Sequence, residues 1–166
     1  MGNLTSIAAI GKNYELGKDN QLIWRFKSDM KFFKDNTIGK TILMGRKTFD
    51  SLPRLLVDRK HVVLTRQNIS IPGVFVLHNL DELLLFLSDI REEVMVIGGE
   101  SIYQMMMPYI NKMLLTEIDD TCCEADAFFP RFNIMDWDRE VLGNGYENNT
   151  YFRYVQYCRK LVKDKK

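Results

Sequence analysis

Runs with strand character alternate with helical runs along most of this chain, and that alternation limits its fold more than any other feature. Leu4–Ile10 reads as a strand and Ser28–Asn36 as a helix. Thr41–Met44 reads as a buried strand, and Gly45-Arg46-Lys47-Thr48 turns straight into a short helix. Strands follow at His61–Thr65 and Val74–Leu77, then a helix from Asp81 to Asp89 and another buried strand at Val94–Ile97. Gly98-Gly99 leads into a helix through Met107, and Met113–Ile118 is a further strand. This order predicts an α/β fold with a mainly parallel central sheet and helices on both faces. Trp137–Leu142 and Tyr151–Tyr157 come in succession and pair through a turn rich in Gly and Asn, which adds an antiparallel C-terminal edge. With 166 residues and no repeat or linker, residues 1–166 fit one domain. The basic tail from Lys160 to Lys166 is expected to fray.

The net charge of +1 offers no long-range attraction for nucleic acid or an anionic membrane, so a bound anion must meet a local cluster of bases. No apolar run reaches the length of a membrane span, and the first residues do not read as a signal peptide. Cys122, Cys123 and Cys158 suit neither a disulfide framework nor a zinc site, so reduced thiols in a cytoplasm are the expectation. Phosphate loops of the Walker type, the G-x-G-x-x-G fingerprint, H-E-x-x-H and G-x-S-x-G are all absent. His61 and His78, the only histidines, read as surface residues at strand ends.

A mainly parallel sheet binds ligands beyond the carboxyl ends of its strands. Two glycine turns fall there. Gly45-Arg46-Lys47-Thr48 offers free backbone N–H groups and two bases, and Thr65-Arg66 ends the next strand in the same way. Arg46, Lys47, Thr65 and Arg66 would form one patch suited to a phosphate monoester, although a solvated basic turn has the same composition. Val96-Ile97-Gly98-Gly99-Glu100-Ser101 lets a diphosphate or a ring approach the backbone, or simply permits a tight turn. Asp29 shares its helix with Phe26, Phe32 and Phe33 at i−3, i+3 and i+4. Burial there would raise its pKa and make it a proton handler; otherwise it is a first-turn acid behind a Ser28 cap. The long loop from Gly11 to Ile23 reads either as a lid over this acid or as a plain connection. Arg59, after Leu55 and Leu56, would suit a ligand with an aromatic body and a carboxylate tail, although by itself it reads first as an ordinary surface Arg.

Taken in order, the segments resemble dihydrofolate reductase. They are Ile7-Ala8-Ala9-Ile10, Leu16-Gly17-Lys18-Asp19-Asn20 with Trp24, Asp29 to Thr37, Met44-Gly45-Arg46-Lys47-Thr48-Phe49, Val63-Leu64-Thr65-Arg66, Val96-Ile97-Gly98-Gly99 with Ile102-Tyr103, and Thr116-Glu117-Ile118-Asp119. The likeness runs from about Leu4 to Cys158. It implies a monomeric, cytoplasmic reductase that uses NADPH to convert 7,8-dihydrofolate to tetrahydrofolate for one-carbon metabolism, and that antifolate inhibitors target.

The resemblance also implies roles. Asp29 matches the acid of the pterin pocket, Thr116 its hydrogen-bond partner, and Trp24 the residue that helps hold a water near it. Ile7, Ala8, Met30, Phe33, Leu52, Leu56 and Ile97 match the folate-pocket walls, and Arg59 the clamp for the glutamate α-carboxylate. Ala9, the segment Leu16, Gly17, Lys18, Asp19, Asn20, Gln21 and Leu22, and Gly98, Gly99, Glu100, Ser101, Ile102 and Tyr103 match the nicotinamide and diphosphate contacts. Gly45, Arg46, Lys47, Thr48, Leu64, Thr65 and Arg66 match the adenosine 2′-phosphate site. Asp126 matches an acid that brace the lid, and the Gly98–Gly99 peptide is cis in the family. The chain departs from the usual pattern where Ile23 and Lys27 replace prolines and where Leu55, Val57 and Asp58 replace Pro, Pro and Gly. These losses free the backbone around the lid and the benzoyl pocket. A drug-insensitive, acquired enzyme with trimethoprim resistance is one hypothesis they suggest. Competing readings are another pterin- or pyrimidine-type reductase on the same fold, and a non-catalytic nucleotide-binding module.

Overall fold

The computed structural model describes residues 1–162, so most of the tail expected to fray lies outside the described residues. Among the described residues are eleven strands and four α-helices, of which β2, β3 and β9 were not expected and the others follow the predicted order: β1 (Leu4–Ile10), β2 (Glu15–Lys18), β3 (Gln21–Leu22), α1 (Lys27–Thr37), β4 (Thr41–Gly45), α2 (Arg46–Ser51), β5 (Lys60–Leu64), β6 (Val74–Leu77), α3 (Leu80–Ser88), β7 (Val94–Gly98), α4 (Glu100–Met106), β8 (Lys112–Ile118), β9 (Ala127–Phe128), β10 (Trp137–Glu147) and β11 (Thr150–Arg159). Eight strands form one sheet in the order β10-β11-β8-β1-β7-β4-β5-β6. The pairs from β8 through β6 are parallel, while β11 runs antiparallel to both β8 and β10.

Alternation along the strands divides the core into two layers. On β4, Leu43 joins a layer with Val62, Val94, Val96, Leu115 and the α3 and α4 residues Leu83, Leu87 and Met106. Its neighbours Ile42 and Met44 join the opposite layer with Ile7, Val63, Met95 and Leu114, against which Phe32 and Phe33 of α1 and Phe49 of α2 pack. Helices therefore cover both faces. Each fully buried Leu, Val or Met side chain contributes about 1.5–3 kcal/mol. The strand order reverses where β7 lies between β1 and β4, and both glycine turns open at that end of the sheet.

The stretch from Gly11 to Ile23 is not a plain loop. β2 and β3 pair as a hairpin, and β9 joins β2 to make a second, three-stranded sheet. The hairpin turns at Asp19 and Asn20, both left-handed at φ 51° and 60°. Asn148 and Asn149 close the β10–β11 hairpin in the same way, at φ 51° and 58°. Gly143 and Gly145, expected in that turn, lie within β10. A Cβ on Gly145 would come within 2.6 Å of the Phe152 ring, so that glycine admits a cross-strand aromatic.

Candidate active site

α1 begins without a cap of its own. Phe26 occupies the extended cap position, and neither it nor Ser28 caps the first turn with its side chain. The acceptor comes from the tip of the β10–β11 hairpin instead. The Lys27 N–H donates to Glu147 Oε2 at 2.6 Å, and the Ser28 N–H and hydroxyl donate to Oε1 at 3.3 and 3.2 Å. Aromatic stacking fixes the same helix to β11, with Phe26 on Phe152 at 4.7 Å and Phe32 on Tyr154 at 4.3 Å between centroids. The aromatic neighbours of Asp29 are thus anchored to the last strand.

Asp29 is held over the sheet. The Thr116 hydroxyl donates to its Oδ1 at 2.5 Å. Thr116, on β8, is 2% exposed and pairs with Ala9 on β1 and Tyr154 on β11. Burial raises the Asp29 pKa above the ordinary carboxyl range; the Thr116 hydrogen bond opposes this, and the Glu147 charge adds to the rise.

Thr116 lies two residues beyond Leu114 and so shares its sheet face. Ile7, Phe33, Leu52, Leu56 and Ile97 gather on that face in one apolar cluster, joined by Phe32 and Phe49. Two expected wall residues are not brought into it. Ala8 alternates to the opposite face and packs in the other layer, which leaves only its backbone on the site side. Met30 projects from α1 and is 65% exposed.

Arg59 follows the wall residue Leu56 on the stretch between α2 and β5. Its Nε donates to Thr37 Oγ1 at 3.2 Å and one terminal nitrogen donates to the Val57 carbonyl at 2.9 Å, leaving the other terminal nitrogen available. Asp58, where the family pattern has Gly, adopts the left-handed conformation at φ 60°. His61 is 2% exposed, which corrects its reading as a surface residue: it is a core residue beneath this loop.

The two glycine turns converge, because Met44 pairs with Gly98 across β4 and β7. A Cβ on Gly98, at φ 127°, would meet Tyr103 at 3.4 Å and Thr48 at 3.5 Å, and one on Gly99 would meet the Thr48 hydroxyl at 3.3 Å. The backbone here is bare and backed by side chains, and the Gly98–Gly99 peptide is cis. Glu100 and Ser101 form the first turn of α4. Leu16, Leu64, Ile102 and Tyr103 are each under 10% exposed and lie in the core layer that contains Leu43. Tyr103 donates its hydroxyl to the Ile7 carbonyl at 2.7 Å. Gly45 pairs with Leu64, which sets Arg46 beside the Thr65-Arg66 strand end. Arg46 is ion-paired with Asp50 at 2.8 Å and donates to Gln67 at 3.3 Å, while Lys47 and Arg66 are exposed. His78 meets the Thr65 carbonyl at 3.0 Å at the border of this patch.

The β2–β3 hairpin carries Gly17, Lys18, Asp19, Asn20, Gln21 and Leu22, with Leu22 61% exposed. Asp126 braces it from both sides: its Oδ2 accepts from the Asp19 N–H and its own N–H donates to the Gly17 carbonyl, each at 3.0 Å. An ion pair links Lys18 to Glu124. The Trp24 indole N–H donates to Asp120 at 3.0 Å. The one donor of the indole is thus engaged by Asp120, a partner that was not expected. Glu147, Tyr154, Asp120 and Gln67 were not foreseen; all four come from partners remote in sequence.

The dihydrofolate reductase family profile matches residues 3–159. Dihydrofolate reductase of Staphylococcus haemolyticus is 38% identical over 161 residues, 95% of this chain and 96% of the relative. Dihydrofolate reductase type 3 of Salmonella typhimurium is 38% identical over 135 residues, 81% of this chain and 82% of the relative. Among solved structures, the Enterococcus faecalis dihydrofolate reductase complexed with NADP(H) and RAB-propyl superposes with a TM-score of 0.88 at 29% identity, covering 96% of this chain and 98% of that one. A lone acid on an apolar cleft, bare glycine turns with bases beside them, and these matches over nearly the full length agree: the chain belongs to the dihydrofolate reductase family.

Proposed function

We propose that Asp29 is the proton-handling group of this NADPH-dependent dihydrofolate reductase, and that the observation carrying the assignment is its carboxylate on the Thr116 hydroxyl above an otherwise apolar wall. The carboxylate accepts hydrogen bonds from the amino and ring N–H groups of the pterin. It favours protonation of the imine nitrogen, with water delivering the proton, and burial raises its own pKa above the ordinary carboxyl range. Ile7, Phe33, Leu52, Leu56 and Ile97 exclude water from the ring and the benzoyl group. Arg59 offers its uncommitted nitrogen to the glutamate α-carboxylate.

The residues present fit NADPH. Gly98 and Gly99 leave the space a Cβ would fill, the turns at Gly45-Thr48 and Gly99-Ser101 offer backbone N–H groups to a diphosphate, and Arg46, Lys47, Thr65 and Arg66 suit a 2′-phosphate. When bound there, NADPH supplies the hydride for the carbon next to the imine nitrogen. Ala9 and the lid from Leu16 to Leu22 cover the nicotinamide end, and Asp126 with Trp24 and Asp120 holds the lid in place.

The enzyme acts as one monomeric domain over residues 1–166, with small molecules rather than nucleic acid or membranes as partners; no helix among the described residues is long and apolar enough to cross a membrane. The lost prolines beside Arg59 and Asp29 support a shifted response to diaminopyrimidine inhibitors such as trimethoprim, and ordinary tight inhibition would refute that shift. The central test follows NADPH absorbance with dihydrofolate present. Wild type oxidises the cofactor, and Asp29→Asn lowers turnover about 10²–10⁴-fold at neutral pH with partial recovery in acid. Unchanged turnover in the variant would reject the assignment.

A further inference from the structure

A buried histidine stands behind the Leu52–Arg59 loop and takes no part in the roles above. His61, the second residue of β5, is 2% exposed. Backbone groups of that loop meet both of its ring nitrogens. The Leu56 N–H donates to Nε2 at 3.1 Å, and Nδ1 lies 3.2 Å from the Arg59 carbonyl oxygen. An Nε2 that accepts requires a neutral ring with its proton on Nδ1, which then donates to the Arg59 carbonyl. The imidazole therefore joins the two ends of the segment Leu56–Arg59.

That segment has little else to stiffen it. It contains no proline, and Asp58 holds a left-handed conformation at φ 60°. Beyond His61, its ties are the Gly39 N–H to the Asp58 carbonyl at 2.8 Å and the two Arg59 side-chain bonds. Leu56 belongs to the apolar wall, and Arg59 follows it by three residues.

We propose that His61 is a positioning residue for the tail end of the substrate cleft: as a neutral ring it sets Leu56 and Arg59 in place, and on protonation it releases them. This rests on the reading of Arg59 as the carboxylate clamp. A proton on Nε2 would set two donors, the ring N–H and the Leu56 N–H, against each other, and the bond that orders the loop would be lost. The surroundings favour the neutral ring. Burial lowers the His61 pKa, the Arg59 carbonyl opposes this, and the Arg59 charge lowers it further. The charged group facing the ring is Arg59; its partners across the sheet, Ile42 on β4 and Val74 on β6, are uncharged. The loop is thus held at neutral pH and loosened in acid.

The test compares KM for dihydrofolate with KM for a dihydropterin that lacks the benzoylglutamate tail. Both substrates report on Asp29, so the ratio of the two KM values isolates the tail end. In wild type the ratio rises about tenfold as pH falls from about 7 to about 5, with kcat on the pterin following Asp29 alone. His61→Gln, which can still accept from Leu56 and donate to Arg59 but does not titrate, keeps the neutral-pH ratio within about threefold and loses its pH dependence. His61→Phe raises the ratio about tenfold at neutral pH. If His61→Phe fails to fold, wild type and His61→Gln still decide the question. A ratio flat with pH in wild type, or an unchanged pH dependence in His61→Gln, overturns the proposal; a histidine that only supports the core would lower Tm without moving the ratio. Arg59→Leu separates the premise from the inference. If it leaves the ratio unchanged, the clamp reading falls and the proposal with it; if it raises the ratio while the His61 variants do not, the proposal alone falls.

Discussion

At Asp29 a largely buried carboxylate accepts from the Thr116 hydroxyl, and burial outweighs that bond in setting its pKa. The folded pKa lies above the unfolded value near 3.8, so between the two the folded chain holds a proton that the unfolded chain has released. Stability therefore falls as pH rises through that window. Asp29→Asn removes the charge and leaves an amide oxygen to accept from Thr116. We expect its Tm to equal or exceed that of wild type near pH 7, and the difference to shrink as pH approaches about 4. A clearly lower Tm for the variant near pH 7, read by calorimetry, would show that burial is not what governs this carboxyl. The acid was legible in the sequence because its aromatic neighbours lie three and four residues away on one helix. Tyr154 was not, because only the β8–β11 pairing brings it opposite Thr116.

Elements extend the same lesson. The strands of the parallel core stood out as short apolar runs between turn residues, and most of their observed ends lie within a residue of those expected. The β2–β3 hairpin was missed because Glu15–Lys18 lacks an alternating apolar pattern, and its second partner, β9, is far away in sequence. Its left-handed Asp19-Asn20 turn was the available signal. α1 has no cap near its own start, and Lys27, standing where the family pattern has proline, brings an N–H that needs an acceptor. Glu147 meets that need, and the contact with Lys27 and Ser28 holds its carboxyl below the usual range. Glu147→Gln keeps an oxygen for the N–H groups but removes a charge that raises the Asp29 pKa. The pH profile of its turnover should move to lower pH, whereas Glu147→Ala should also lose substrate affinity as the first turn of α1 loosens. A profile unmoved in Glu147→Gln would sever the hairpin from the acid. At the other end of the cleft, the paired ends of β4 and β5 set the bases together. Replacing Arg46 and Arg66 with alanine should weaken NADPH far more than NADH, since charge-assisted bonds contribute about 1.5–3 kcal/mol each. Equal losses measured by titration with each cofactor would remove the phosphate patch.

Across the whole molecule, the strands and helices and the mainly parallel sheet were readable from periodicity, while the polar ties between the ends of its central strands were not. Glu93 is such a tie. It is 20% exposed and takes Lys40 at 2.6 Å, Lys112 at 3.0 Å and the Thr5 hydroxyl at 2.8 Å. Burial alone would raise its pKa, but these three partners together outweigh it and hold the carboxyl at about 2. Its stabilisation is present above the ordinary value near 4.5 and is lost as pH falls from there towards about 2. Glu93→Gln should cost about 1–3 kcal/mol at neutral pH, after allowance for solvent screening, and the gap to wild type should close in strong acid. Denaturant melts near pH 7 and pH 3 check both halves of that expectation. The last described strand has the widest reach of all. β11 carries Phe152 and Tyr154, on which the aromatic residues of α1 stack, and the hairpin leading into it carries Glu147. During synthesis on the ribosome, then, the helix bearing the acid leaves the exit tunnel long before the two rings and the capping carboxylate that seat its first turns exist. A nascent chain halted just before Phe152 would carry the acid on a helix with neither ring to stack on.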